Sequence, residues 1–99
     1  MKKHSQCDLT KLYKAILTLK TEEECASFFN DICTFQEVEA LAQRIEVAIR
    51  IKNKESYVDI NKSTGASTAT ISKVSKYINY GAGGYDLVLE RLKELEKND

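Results

Sequence analysis

Proline is absent from this 99-residue sequence, and no long apolar run occurs in it. Because proline interrupts helices and helix-favouring residues dominate, the composition predicts an all-α chain. No stretch approaches the roughly 20 apolar residues that cross a membrane, and the basic N-terminus lacks the apolar segment of a signal peptide. We therefore expect one helical domain over residues 1–99, located in the cytoplasm and without a membrane partner.

Cysteine and histidine are too scattered to form a metal site, a disulfide framework or a catalytic set. The three cysteines, Cys7, Cys25 and Cys33, contain no Cys-x-x-Cys pair. They are expected to be reduced thiols, with Cys25 and Cys33 as small core residues. The one histidine, His4, lies in the N-terminal tail and is a poor partner for a nucleophile. We predict no enzyme activity, no metal and no cofactor.

The net charge is zero, but the charges are distributed unevenly along the chain. A zero balance argues against nonspecific binding to polyanions. Residues 52–77 carry five lysines against two acids, a local balance of +3, whereas residues 78–99 have a balance of −2. Phosphate contacts would need such a basic excess. An ordinary solvated charged surface also explains it.

A helix, a tight turn and a second helix are predicted over residues 56–77. Gly65 ends the first helix, because glycine tolerates the left-handed backbone that closes a helix. Ser67 or Thr68 caps the second helix with a side-chain oxygen. Asn61 stands where a helix-turn-helix usually has a small residue, so its amide must face outward or find a partner. Three apolar residues are spaced to meet between the helices: Ile60, Ile71 and Val74.

The side chains left on the outside of this helix pair are short hydroxyls and amines. Such groups suit a helix that enters the major groove and contacts base edges and phosphates. The pattern is that of a DNA-binding helix-turn-helix, although a generic pair of packed helices would also produce it. The outward residues are Ser67, Thr68, Ser72, Lys73 and Lys76.

Four further helices are predicted from caps and apolar periodicity, which gives about six in all. Thr21 with Glu24, and Thr34 with Glu37, have the spacing of capping boxes. Glycines after Tyr80 separate the helix-turn-helix from the last helix. Predicted N-caps of the first and fourth helices are Asp8 and Ser56.

The third helix is apolar around more than half of its circumference, so it needs more than one packing partner. In so short a chain a second subunit would supply one. We therefore assign residues 8–51 and 84–97 to dimerisation, and residues 56–77 to the helix-turn-helix.

From Thr34 to Leu95 the sequence resembles the tryptophan-repressor superfamily, in its YerC/YecD branch. The segment 34–44 (TFQEVEALAQR) is similar to the helix start T-x-x-E-x-E-A-L-x-x-R of that family. The segment 64–72 (TGASTATIS) is similar to its reading-head turn and recognition helix, and the run 73–85 continues the likeness. The resemblance implies an intertwined all-helical homodimer that binds operator DNA.

The resemblance also implies which side chains contact DNA. The turn and the start of the recognition helix would face the bases, with helper contacts from the preceding helix. We expect three lysines, Lys62, Lys73 and Lys76, to bind phosphates. The implied base-facing residues are Ser67, Thr68, Ala69 and Ser72, and the helpers are Tyr57 and Asn61.

A possible effector site is implied at Thr34, Arg44 and Lys73. Lys73 stands where the tryptophan repressor has a second arginine, and Tyr77 replaces a serine that fixes the amino group of the ligand. Lysine lacks the planar fork of arginine, and the tyrosine would fill space. The sequence therefore argues against L-tryptophan as co-repressor and favours another effector or none. A structural ion pair of Arg44 with Glu37, Glu46 or an acid of the partner chain is an equal alternative.

These observations together predict a dimeric, sequence-specific DNA-binding transcriptional regulator, specifically a repressor. The alternative functions are a helical protein-interaction adaptor and a small-metabolite sensor that use the same helix pair. Salt dependence separates DNA binding from an apolar protein contact, because only the first releases many counterions.

Overall fold

The computed structural model describes residues 6–98, which form six α-helices and no strand. The prediction of an all-α fold is confirmed. The helices are α1 (Leu9–Leu17), α2 (Glu22–Ile32), α3 (Phe35–Lys52), α4 (Tyr57–Thr64), α5 (Thr68–Tyr80) and α6 (Gly84–Lys97). The chain divides after Val38 into two compact units. The single-domain assignment remains a prediction, and His4 lies outside the described residues.

The predicted N-caps are present and explain where the helices begin. Thr34 and Glu37 form a complete capping box, with the Thr34 N–H donating to Glu37 Oε1 at 2.7 Å and the Glu37 N–H donating to Thr34 Oγ1 at 3.1 Å. At α2, Thr21 Oγ1 accepts from the Glu24 N–H at 3.0 Å. The Glu24 carboxylate accepts instead from the Lys20 N–H at 2.8 Å, one residue earlier than a capping box requires. The other two predicted N-caps are also observed: Asp8 caps α1 and Ser56 caps α4.

The first unit contains α1 and α2, and none of its described residues is buried. On α1, Leu9 is 53% exposed and Leu17 is 81% exposed, although apolar side chains recur at helical spacing there. Cys25 is exposed and Cys33 is half-buried. The prediction that these two cysteines are core residues is therefore wrong, because α2 has no buried face in this chain to receive a thiol.

The second unit is built around the helix-turn-helix and contains the buried core. Six of its described residues are buried, and they come from α3, α4, the turn and α5: Val47, Ala48, Ile60, Ala66, Ile71 and Val74. The three residues predicted to meet between the two helices all belong to this cluster, so that prediction is confirmed. On α3, Val47 is completely buried while Leu41 is 43% exposed, so this helix has a second apolar face outside the core.

An arginine and a backbone turn connect α3 to α4. Arg50 Nε lies 3.1 Å from Glu46 Oε2, and Arg50 Nη1 lies 3.1 Å from Glu55 Oε1. The hydrogen bond to the Glu55 carboxylate raises the pKa of the Arg50 guanidinium above its ordinary value. The backbone closes the same turn, with Lys54 N–H donating to Ile51 O at 2.9 Å and Glu55 N–H to Arg50 O at 3.1 Å. This pattern is a Schellman motif, which satisfies the last carbonyls of α3.

Helix α6 is joined to the core by packing and by one ion pair. Tyr85 and Leu89 pack against the buried cluster, and Lys52 Nζ on α3 lies 3.0 Å from Asp86 Oδ1. Helix α5 ends at Tyr80 and α6 begins at Gly84, as the glycine-rich segment between them predicts.

Candidate nucleic-acid interface

The turn between α4 and α5 has the geometry that the sequence predicts. Gly65 ends α4 with φ +76°, in the left-handed region that favours glycine. Ser67, rather than Thr68, caps α5: its Oγ accepts from the Thr70 N–H at 3.2 Å. Helix α5 continues three residues past the predicted end of the helix-turn-helix at residue 77.

Three polar side chains hold this turn closed. Asn61 Nδ2 donates to the Ala66 carbonyl at 2.7 Å, which is the partner that its position in α4 requires. Thr64 Oγ1 accepts from the Ala66 N–H at 3.1 Å. Gln43 on α3 donates through Nε2 to the Thr64 carbonyl at 3.2 Å. The turn is therefore fixed both internally and to α3.

The outer face of α5 is polar and open to solvent, whereas its inner face is buried. Ile71 and Val74 are 0% and 3% exposed, and they fix the rotation of the helix about its axis. The Ser67 hydroxyl also lies 3.2 Å from Thr70 Oγ1, so it is occupied within the protein. All four predicted base-facing residues are exposed: Ser67, Thr68, Ala69 and Ser72.

The predicted phosphate-binding lysines are available for a ligand. Lys62, Lys73 and Lys76 are exposed, and none of them forms an ion pair with another residue of 6–98. The helper residue Tyr57, the first residue of α4, is 40% exposed. Lys73 and Lys76 belong to α5, so they put positive charge on that helix, and Lys62 adds one on α4.

A groove of about 800 Å³ lies among α3, α5 and α6. Arg44 and Lys73, two members of the predicted effector site, both line it. Arg44 forms no ion pair within residues 6–98, and Glu46 bonds to Arg50 instead. The third member, Thr34, belongs to the first unit, where its hydroxyl oxygen caps α3.

The walls of the groove include residues that the sequence did not indicate. Tyr77 was expected there, but Thr70, Tyr85 and Val88 were not. The available signal was the helical spacing of Tyr85, Val88 and Leu89 on α6, a helix that we had assigned to dimerisation. Two cations beside an apolar wall are suited to an amphipathic anion.

Other kinds of site have no support among the described residues. Within residues 6–98 no group of three or more His, Cys, Asp or Glu side chains could hold a metal ion. None of the helices in this range has the length and apolar character needed to cross a membrane.

The six helices of residues 6–98, which include a capped helix-turn-helix, have the architecture of a helical DNA-binding regulator. Comparison with known families identifies which one. The family described as Trp repressor protein matches residues 7–93, and the chain belongs to that family. The fold of this family is a regulatory DNA-binding fold.

Individual relatives agree with this assignment. The chain is 48% identical over 89 residues to YerC of Bacillus subtilis, covering 90% of this chain and 86% of that protein. A TrpR-like protein from Eubacterium eligens superposes with a TM-score of 0.82 at 50% identity, covering 85% of this chain and 87% of the other. A Staphylococcus aureus protein described as a candidate Trp repressor gives a TM-score of 0.83 at 45% identity, covering 86% and 85% of the two chains.

Proposed function

We propose that the protein is a sequence-specific transcriptional repressor that reads operator DNA as a homodimer, with α5 in the major groove. The observation that carries this proposal is the outer face of α5. It presents short polar side chains to solvent, while Ile71 and Val74 on the opposite face are buried in the core and fix the orientation of the helix. Lys73 and Lys76 on the same helix form no ion pair with another residue of 6–98, which suits binding to phosphates.

Different side chains of α5 would contact different groups on the base edges. The hydroxyls of Thr68 and Ser72 can donate or accept, so they fit several base edges. The methyl group of Ala69 suits the methyl group of thymine. The hydroxyl of Ser67 already caps the helix, so reading through a hydroxyl falls mainly to the other two.

The exposed apolar surface supports a homodimer. Five apolar side chains of one short helix are open to solvent in the single chain: Leu9, Leu12, Tyr13, Ile16 and Leu17. A second copy that covered them would remove a large apolar area from water. In the dimer that the family implies, two recognition helices lie about 34 Å apart and contact half-sites one helical turn apart.

Selection of bound fragments from random-sequence DNA tests the proposal. We expect purified protein at moderate salt to enrich a palindrome whose half-sites are about 10 base pairs apart. The Thr68→Asp protein, tested in parallel, should enrich nothing. If the unaltered protein also enriches nothing, with and without an added extract of cell metabolites, the proposal is wrong. The adaptor function then gains support, and binding to a partner protein that is insensitive to salt would establish it.

The groove beside α5 favours a second function, the sensing of a small anionic metabolite. Arg44 and Lys73 line it without ion pairs in the described chain, next to Tyr77 and Tyr85. A ligand that binds only the native state raises the melting temperature. Screening aromatic and aliphatic carboxylates should therefore give a rise that Arg44→Leu abolishes. Arg91→Leu, which alters an arginine outside the groove lining, is the matched control. A rise that survives Arg44→Leu would exclude this site.

A further inference from the structure

Lys54 has a backbone conformation that a lysine rarely adopts. Its φ is +66°, and it is the one non-glycine residue with positive φ in residues 6–98. The other two positive-φ positions of this range hold Gly65 and Gly83. A side chain in the left-handed region crowds the following carbonyl oxygen, and glycine, which has no Cβ, avoids this strain. Lysine thus occupies a position where glycine would adopt the required backbone conformation with less strain.

Packing within the described chain does not explain a lysine at this position. The side chain is exposed, and it forms neither an ion pair nor a side-chain hydrogen bond with any residue of 6–98. A residue kept in a strained conformation without a structural partner is a reason to look for a function.

Ion pairing divides the cations of residues 50–76 into two groups. Arg50 and Lys52 are bonded to carboxylates of the fold, at Glu46, Glu55 and Asp86. The carboxylate beside Lys54, that of Glu55, is therefore already occupied by Arg50. The cations of this segment that form no ion pair within residues 6–98 are Lys54, Lys62, Lys73 and Lys76. Three of these four are the lysines predicted to contact phosphates. Lys54 is the remaining cation, and the sequence assigned it no role.

The position of Lys54 in the chain puts it beside the helix-turn-helix. It precedes the α4 cap Ser56 by two residues, which limits the distance between their Cα atoms to about 7 Å. In a helix-turn-helix the first helix crosses the DNA backbone while the second enters the groove. We propose that Lys54 binds a backbone phosphate at the edge of each half-site. This inference rests on the proposed DNA-binding function and adds a contact before α4 that the sequence did not indicate.

Lys54→Gly tests the proposal because it should change stability and DNA affinity in opposite directions. Removing the side chain relieves the backbone, so the midpoint of urea unfolding should rise. The same change removes one phosphate contact per protomer. Binding to the selected operator duplex should then be roughly tenfold to a hundredfold weaker at 0.1 M salt, and for a dimer the slope of log K against log salt should be about 1.8 less steep. Fluorescence anisotropy over a salt series measures both quantities.

Two further variants make the result decisive. Lys54→Arg retains the charge and should bind the duplex like the unaltered protein. Lys97→Gln removes a charge from the end of α6 and should leave the salt slope unchanged. If Lys54→Gly folds better and keeps the original salt slope, the proposal is overturned while the DNA-binding function stands. If the unaltered protein binds the duplex without salt dependence, the proposed function itself fails.

Discussion

Thr68→Asp is expected to reduce operator affinity at least a hundredfold without weakening the fold. Thr68 is the first residue of α5 and is exposed. A carboxylate there would meet phosphates and base edges in the complex, and like charges brought together cost several kcal/mol. At the N-terminus of a helix, however, a negative charge is favourable by about 0.3–1 kcal/mol. The variant should therefore unfold at the same urea concentration as the unaltered protein, or a higher one.

A control variant separates loss of DNA recognition from loss of structure. Thr10→Asp adds the same charge to the first turn of α1, where Thr10 is also exposed, and should bind DNA almost normally. Affinity is measured by anisotropy with the selected operator, and dimer mass by light scattering. Unchanged operator affinity for Thr68→Asp would show that α5 does not face the bases.

Ile60→Ala is expected to lower the free energy of unfolding strongly. Ile60 is 0% exposed and belongs to the cluster that joins α3, α4 and α5. Removing most of a buried isoleucine side chain loses its transfer free energy and leaves a cavity, at a cost of about 2–5 kcal/mol. Domains are stable by only about 5–15 kcal/mol. Urea unfolding followed by circular dichroism, at one fixed protein concentration, measures the loss.

Val58 on the same helix is the matched control. It is 64% exposed, two residues from Ile60. Val58→Ala should change the free energy of unfolding by no more than about 0.5 kcal/mol, as surface substitutions usually do. Equal losses for the two variants would contradict the core described here.

The helix starts could be predicted because each depends on local chemistry. A hydroxyl or carboxylate at Asp8, Thr21, Thr34 or Ser56 satisfies free N–H groups a few residues away, and no distant part of the chain is needed. The core of the helix-turn-helix was predictable for a similar reason, since Ile60, Ile71 and Val74 follow helical spacing around a short turn.

Features that depend on distant packing were harder to predict. Cys25 precedes Phe28 and Phe29 by three and four residues, which predicts a shared apolar helix face, but whether a thiol is buried depends on which surface covers it. The groove beside Arg44 needs three helices to come together, so the residues from α6 could not be assigned in advance. The left-handed residue after α3 falls on Lys54, where no glycine marks it.

The roles of the base-facing and effector residues remain predictions. Exposure shows that Thr68 and Ser72 can be reached, but specificity is a property of the complex and depends on both surfaces. The resemblance to a family supplied these assignments, and the exposed face of α5 is compatible with them.

The exposed apolar side chains of α1 have a consequence for the amount of this protein that a cell must maintain. If association covers Leu9 and Leu17, part of the folding free energy arises only when two chains meet, so stability increases with concentration. Newly made chains at low abundance would spend longer with α1 uncovered and open to proteases. The same surface would then couple the survival of the regulator to its own expression level.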